Sequence, residues 1–187
     1  MPEHITPEEA ADRVSKCGLG PVTVDHRQTD WGEDEEVLVA AMALDATDEQ
    51  LASADRAATV YLLELPATLQ HRYDAIRGAR IAAELLDQSR ARLASCGLLE
   101  RVPPYQAGVT DDEAFTRAVE ELCGPRAKGA FGSKHGFHAI SPDWVRRKLN
   151  VARDHGEPLT RILDVVRVAR YEVHFVGNMW PHQPNSS

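Results

Sequence analysis

Residues 22–28, VTVDHRQ, and residues 37–44, VLVAAMAL, decide the fold class. In the first stretch Val22, Val24 and His26 alternate with Thr23, Asp25 and Arg27, the period-two pattern of a strand with one wet face. The second is a short apolar run with a β-branched start and turn-forming neighbours, and it reads as a buried strand. Between them lies the polar loop Asp30-Trp31-Gly32-Glu33-Asp34-Glu35-Glu36, so the two stretches are expected to form a hairpin. Residues 59–65, TVYLLEL, read as a third strand closed by Pro66, and Tyr171 to Val176 alternates as a last one.

Helix signals surround these strands. Thr6, followed by Pro7 and the pair Glu8 and Glu9, supplies a cap oxygen, a proline at the first helical position and negative charge against the dipole, so a helix is expected to about Cys17. Thr47 caps a short helix through Ala57 in the same way. From Thr68 to Cys96 there is no proline, and Leu69, Tyr73, Ile76, Ile81, Leu85 and Leu93 make a broad apolar face, which predicts one long helix with Gly78 as its bending point. Thr110 is expected to cap a helix presenting Phe115, Val119 and Leu122. Ser141-Pro142-Asp143 starts a helix turning Trp144, Val145, Leu149 and Ala152 inward and ending at Gly156, and Pro158 to about Val168 forms the next. Cys17, Cys96 and Cys123 each precede a glycine where a helix ends, which predicts three left-handed C-terminal caps.

The expected fold is therefore α+β: a small, mainly antiparallel sheet of about four strands covered by helices, with a long central helix and a C-terminal helix-turn-helix-like pair followed by a strand. At 187 residues the chain suits one domain, expected over residues 1–178, with 179–187 as a loose tail. The longest apolar run is too short to span a bilayer. The first residues, MPEHITPEEAADR, are acidic and have no apolar core, which is unlike a secretory or transit signal and leads to the expectation of a cytoplasmic protein. Seventeen arginines against four lysines fit the coding bias of a GC-rich bacterial genome.

The formal net charge is -8, from 21 basic and 29 acidic residues, yet it is unevenly spread. The segment Gly124–Arg170 holds ten basic and four acidic residues, a net +6, and leaves -14 for the remainder. Its first part, Gly124 to His138, combines Gly124, Gly129, Gly132 and Gly136 with Arg126, Lys128 and Lys134. Amides freed by glycine beside cations are what a phosphate needs, although the order of a Walker A loop is absent. Phe131 and Phe137 would anchor this loop or stack on a base. The plainer alternative is a solvated connector. In the second part Arg146, Arg147, Arg153, Arg161 and Arg167 would meet phosphates from a helix-turn-helix, with Thr160 or Arg161 near the base edges. Its plainer alternative is a helical hairpin packed on the sheet.

The leading expectation is a non-enzymatic regulatory or adaptor protein contacting nucleic acid or another phosphate-rich partner through this basic segment. The runner-up is a small enzyme on a phosphorylated or nucleic-acid substrate, with His135 and His138 as acid and base and Lys134 and Arg126 holding the developing charge. A third reading is a protein-binding module using the acidic hairpin at Asp30–Glu36. Three cysteines without CxxC spacing and HxxH without a third ligand give no metal site, and no cofactor is expected.

Overall fold

The computed structural model describes residues 5–29, 31–43, 45–134, 137–148 and 157–175, with the backbone alone at 133–134, 137–138, 147–148 and 174–175. The chain divides into two compact units, Met1–Ala83 and Glu84–Ser187. The division falls within one long helix, α3 (Ala67–Ser95), whose ends agree with the proline-free stretch in the sequence to within a residue.

The first unit is a three-stranded sheet with helices on one face. α1 (Pro7–Val14) is followed by a wide turn at Ser15–Leu19 that breaks at Gly18, φ 89°, and α2 (Asp48–Ala58) precedes the third strand. Both α-helices start with reciprocal capping. Thr6 Oγ1 accepts from the Glu9 amide while Glu9 accepts from the Thr6 amide, and Thr47 and Gln50 repeat the arrangement. The strands β1 (Thr23–Gln28), β2 (Asp34–Val39) and β3 (Leu62–Glu64) lie in the order β1-β2-β3. β1 and β2 are antiparallel, and β2 and β3 are parallel. Leu38, Ala40 and Leu63 turn inward onto Val14, Leu51, Leu69 and Tyr73, which form the core with the helices.

The hairpin between β1 and β2 is as expected, but its second strand is displaced. It begins at Asp34 and ends at Val39, where the sequence suggested 37–44. The acidic residues read as loop are strand, paired in register with β1, Arg27 standing opposite Glu35 and His26 opposite Glu36.

The second unit has its own core and its own sheet. α4 (Asp112–Cys123) is capped by Asp111, whose side chain accepts from the Ala114 amide, one residue later than the expected Thr110. β4 (Phe131–Lys134) and β5 (Phe137–Ile140) form an antiparallel hairpin, followed by α5 (Pro142–Lys148), α6 (Glu157–Val168) and β6 (His174–Phe175), which pairs parallel to β5. Two expectations are corrected here. The strands belong to two three-stranded sheets of mixed direction, not to one mainly antiparallel sheet of about four, and Gly124–Ile140 is not all loop, because its last ten residues hold a hairpin. Of the expected helix-turn-helix, Leu149, Ala152, Arg153 and the joining His155-Gly156 lie outside the described residues, as does the tail 179–187.

Trp144, Val119, Ile162 and Val165 are at the centre of this core, with Tyr105, Phe115 and Tyr171 packed in tilted and edge-to-face contacts at ring distances of 4.8–4.9 Å. The glycines after the three cysteines all have positive φ, between 67° and 91°, but Gly124, with ψ -175°, lies outside the left-handed helical conformation expected of a cap. After α3, Gly97 donates to Ala94 and Leu98 to Leu93, closing the last turn from both sides.

The same motif closes α6 without a glycine. Arg170 donates to Arg167 and Tyr171 to Val166, while Arg170 holds φ at 59°. A side chain there costs what glycine avoids, so Arg170→Gly is expected to stabilise the protein by about 0.5–1 kcal/mol in chemical denaturation. A loss of stability would mean that the arginine side chain contributes more than its backbone costs.

Candidate functional site

The longest stretch of exposed charge in the first unit is the distal half of the β1–β2 hairpin. Glu33 donates its amide to Thr29 Oγ1 and accepts from the Thr29 amide at 2.8 Å, which with Gly32 at φ 79° closes the turn. Asp34, Glu35 and Glu36 follow, all exposed. Beside them opens a concavity of about 880 Å³, walled by Asp34, Glu35, Glu36, Val60, Tyr61 and Leu62 and also by Arg77, whose guanidinium lies 3.9 Å from the buried Asp55. Val60 is 84% exposed and Leu62 44%, so the groove offers apolar as well as acidic contacts.

The one cation in the adjoining strand is already neutralised. Arg27 reaches across the sheet to both carboxylate oxygens of Glu64, at 2.5 and 2.8 Å, and its Nε donates to Asp25 at 2.7 Å. In the register Val37 lies between Arg27 and Glu64 on that face, 1% exposed although outside the helix-side core. The hydrogen bonds to Glu64 and then Asp25 raise the Arg27 pKa, so its charge is fixed. Burial, and after it the negative charges of Glu36, Glu8 and Glu9, push the Tyr61 phenol above its usual range. The Tyr61 hydroxyl is tied to the Ile5 carbonyl at 2.9 Å.

The basic segment is arranged differently from its charge count. Its glycine-rich part was expected to present free amides to a phosphate. Those of Gly129 and Phe131 instead donate to the two oxygens of Glu120, at 2.9 and 3.0 Å, so a carboxylate of α4 already occupies the anion's place. Arg126 and Lys128 are on the exposed turn before β4. Arg146 is paired with Asp143 at 2.7 Å, and Arg161 with Glu157 one helical turn away. Arg167 turns back to Ser89 at 2.8 Å and lies 3.7 Å from the buried Asp164. Arg147 and Lys134 are placed by backbone only, and Arg153 lies outside the described residues.

The histidine pair is not assembled by what the structure describes. His138 stands opposite Ser133 in the hairpin register, with its backbone alone described, and His135 lies outside the described residues. Among the described residues no three His, Cys, Asp or Glu side chains converge as a metal site, and no helix is long and apolar enough to cross a membrane. Cys123 is buried in the second core, and burial pushes its thiol up to about 12, away from nucleophilic use.

The two units differ in charge. The first holds seven basic and sixteen acidic residues, a net -9, and the second fourteen and thirteen, a net +1. The excess of the basic segment is thus balanced inside its own unit, whereas the acidic excess is concentrated in the unit that carries the groove. Sequence reasoning marked the acidic hairpin but missed the groove beside it, which depends on where β3 begins. Compared with known proteins, the chain matches no family model, no curated protein and no solved structure.

Proposed function

We propose that the protein is a non-enzymatic adaptor that docks a cationic partner protein through the acidic hairpin groove of its first unit. The observation that carries this reading is the groove itself: three exposed carboxylates, Asp34, Glu35 and Glu36, beside exposed Val60 and Leu62, in a unit of net charge -9. A surface of that kind attracts a basic chain at long range and retains it by apolar contact at short range. The nucleic-acid reading of Gly124–Arg170 has less support, since Glu120 takes two of the amides and Arg146, Arg161 and Arg167 face carboxylates.

The test uses the full chain and a labelled heptapeptide alternating lysine and valine, alongside labelled DNA and RNA, across a salt series. The peptide is expected to bind. Glu35→Gln/Glu36→Gln is expected to weaken it by about five- to tenfold, the scale of two charge contacts, whereas Asp45→Asn/Glu49→Gln, which removes the same charge elsewhere on the unit, changes it less than about twofold. Equal loss in both variants would reduce the effect to net charge and sink the reading. Nucleic acid bound in preference to the peptide, with a steep salt dependence, would return the function to the basic segment.

A further inference from the structure

The groove borders a strand edge that the described residues leave open. β3 begins at Leu62, opposite Val37, but β2 reaches back to Asp34, so among the described residues Asp34–Glu36 have β1 on one side and no strand on the other. Main-chain groups alternate along a strand, and two bonds fix their direction here. The Ala40 amide donates to Glu64 of β3 at 3.0 Å, and the Glu33 carbonyl accepts from Thr29 on the β1 side at 2.8 Å. Even-numbered residues of β2 therefore address β3 and odd-numbered ones address β1. By that parity the N–H and C=O of Asp34 and the N–H of Glu36 turn towards the open side.

The chain itself turns away from that place. Thr59 ends α2 with φ 55° and ψ -107°, a conformation few β-branched residues adopt, and the Tyr61 amide is donated back to Ala58 at 3.0 Å. The segment before β3 thus enters the sheet from α2 by a sharp turn and does not run beside Asp34–Glu36. Val60 and Leu62 are left exposed where the missing length of strand would begin.

We propose that an extended, basic segment of a partner protein adds as a strand along Asp34–Glu36, in line with β3. This rests on the reading of the groove as a protein-docking surface and adds how the partner binds. An open edge is a template for another strand, and the charge decides which one. A second copy pairing edge to edge would set Asp34, Glu35 and Glu36 against the same carboxylates, and like charges placed opposite each other repel. A segment with lysine or arginine at alternate positions meets Asp34 and Glu36 on one face of the sheet. Its intervening apolar residues meet Leu62, which by register shares the other face with Glu35.

Strand addition makes a demand that charge attraction does not: only alternate amides of the added chain point at β2. Two N-methylated forms of the lysine–valine heptapeptide, one blocked at the lysines and one at the valines, separate the two when titrated against the full chain. One form is expected to lose about tenfold or more in affinity while the other stays within about twofold of the parent, and amide exchange at Glu36 is expected to slow by about tenfold in the parent complex. If the parent binds but both methylated forms bind equally and the Glu36 amide is unprotected, strand addition is wrong and the docking surface stands. If the parent peptide does not bind at all, both readings fall.

Discussion

Trp144→Ala is expected to cost the protein about 4 kcal/mol, read as a lower midpoint in chemical denaturation followed by circular dichroism. Trp144 is 2% exposed and is among the largest side chains buried in the second unit, where it packs with Ile140, Val165 and Ile162. Removing the indole leaves a cavity that backbone tied on both sides has little freedom to fill. On one side Ser141 caps α5, its hydroxyl accepting from the Trp144 amide at 3.3 Å. On the other the indole N–H donates to the Arg126 carbonyl at 3.0 Å, holding the turn ahead of β4. Trp144→Phe keeps most of the volume and gives up the hydrogen bond, so about 2 kcal/mol is expected for it. Equal costs for the two variants would show that the bond to Arg126, and not the packing, is what the indole supplies.

What the sequence made legible is chemistry between near neighbours. The boxes Thr6 to Glu9 and Thr47 to Gln50 span three residues each, and the glycines after Cys17 and Cys96 act on the turn just before them. The long helix could be read from an uninterrupted stretch of chain. The β4–β5 hairpin was hidden because Gly132, Lys134 and Gly136 lower the apparent strand propensity of 131–140. The acidic half of β2 was hidden for a different reason, since its partners Arg27 and His26 stand opposite only once the register is set.

The candidate site was legible in charge and illegible in arrangement. Counting cations across Gly124–Arg170 gave +6 but did not show that Glu120, outside that segment, would take the amides of Gly129 and Phe131. The acidic loop was recognised as a cluster, yet the groove exists because Thr59 turns the chain and delays β3 until Leu62, which is a property of the sheet and not of the loop. Both gaps come from contacts that close only in three dimensions, and these are the contacts that assign a charged residue to the interior, to a partner, or to water.

Asp164 shows how such a contact becomes stability, and its replacement by asparagine is expected to cost about 3 kcal/mol at neutral pH. The residue is 3% exposed on α6, and its carboxylate accepts from Ser89 Oγ at 2.8 Å and from Arg92 Nε and Nη2 at 2.8 and 2.6 Å, with Arg167 at 3.7 Å. Burial alone would raise its pKa, but the hydrogen bonds from Arg92 and Ser89, with the charges of Arg92 and Arg167, outweigh it and hold the carboxyl below its ordinary range. Because Arg92 and Arg167 are 45% and 32% exposed, water can take over part of their solvation when the carboxylate is lost, which keeps the cost at the lower end for a broken buried pair. The sign with pH follows from the depressed folded pKa. The stabilisation is complete above the unfolded value of about 4 and is lost as pH falls through the folded one. Denaturation at pH 7 and pH 3 should therefore show the gap between the wild-type protein and Asp164→Asn narrowing in acid, because below about pH 4 the unfolded carboxyl takes up a proton that the folded one resists, and the unfolded wild-type chain gains stability that the variant does not. A gap unchanged at pH 3 would locate the cost of the substitution in packing and hydrogen-bond geometry, and the ion pairs of Asp164 would then contribute little to holding α3 and α6 together.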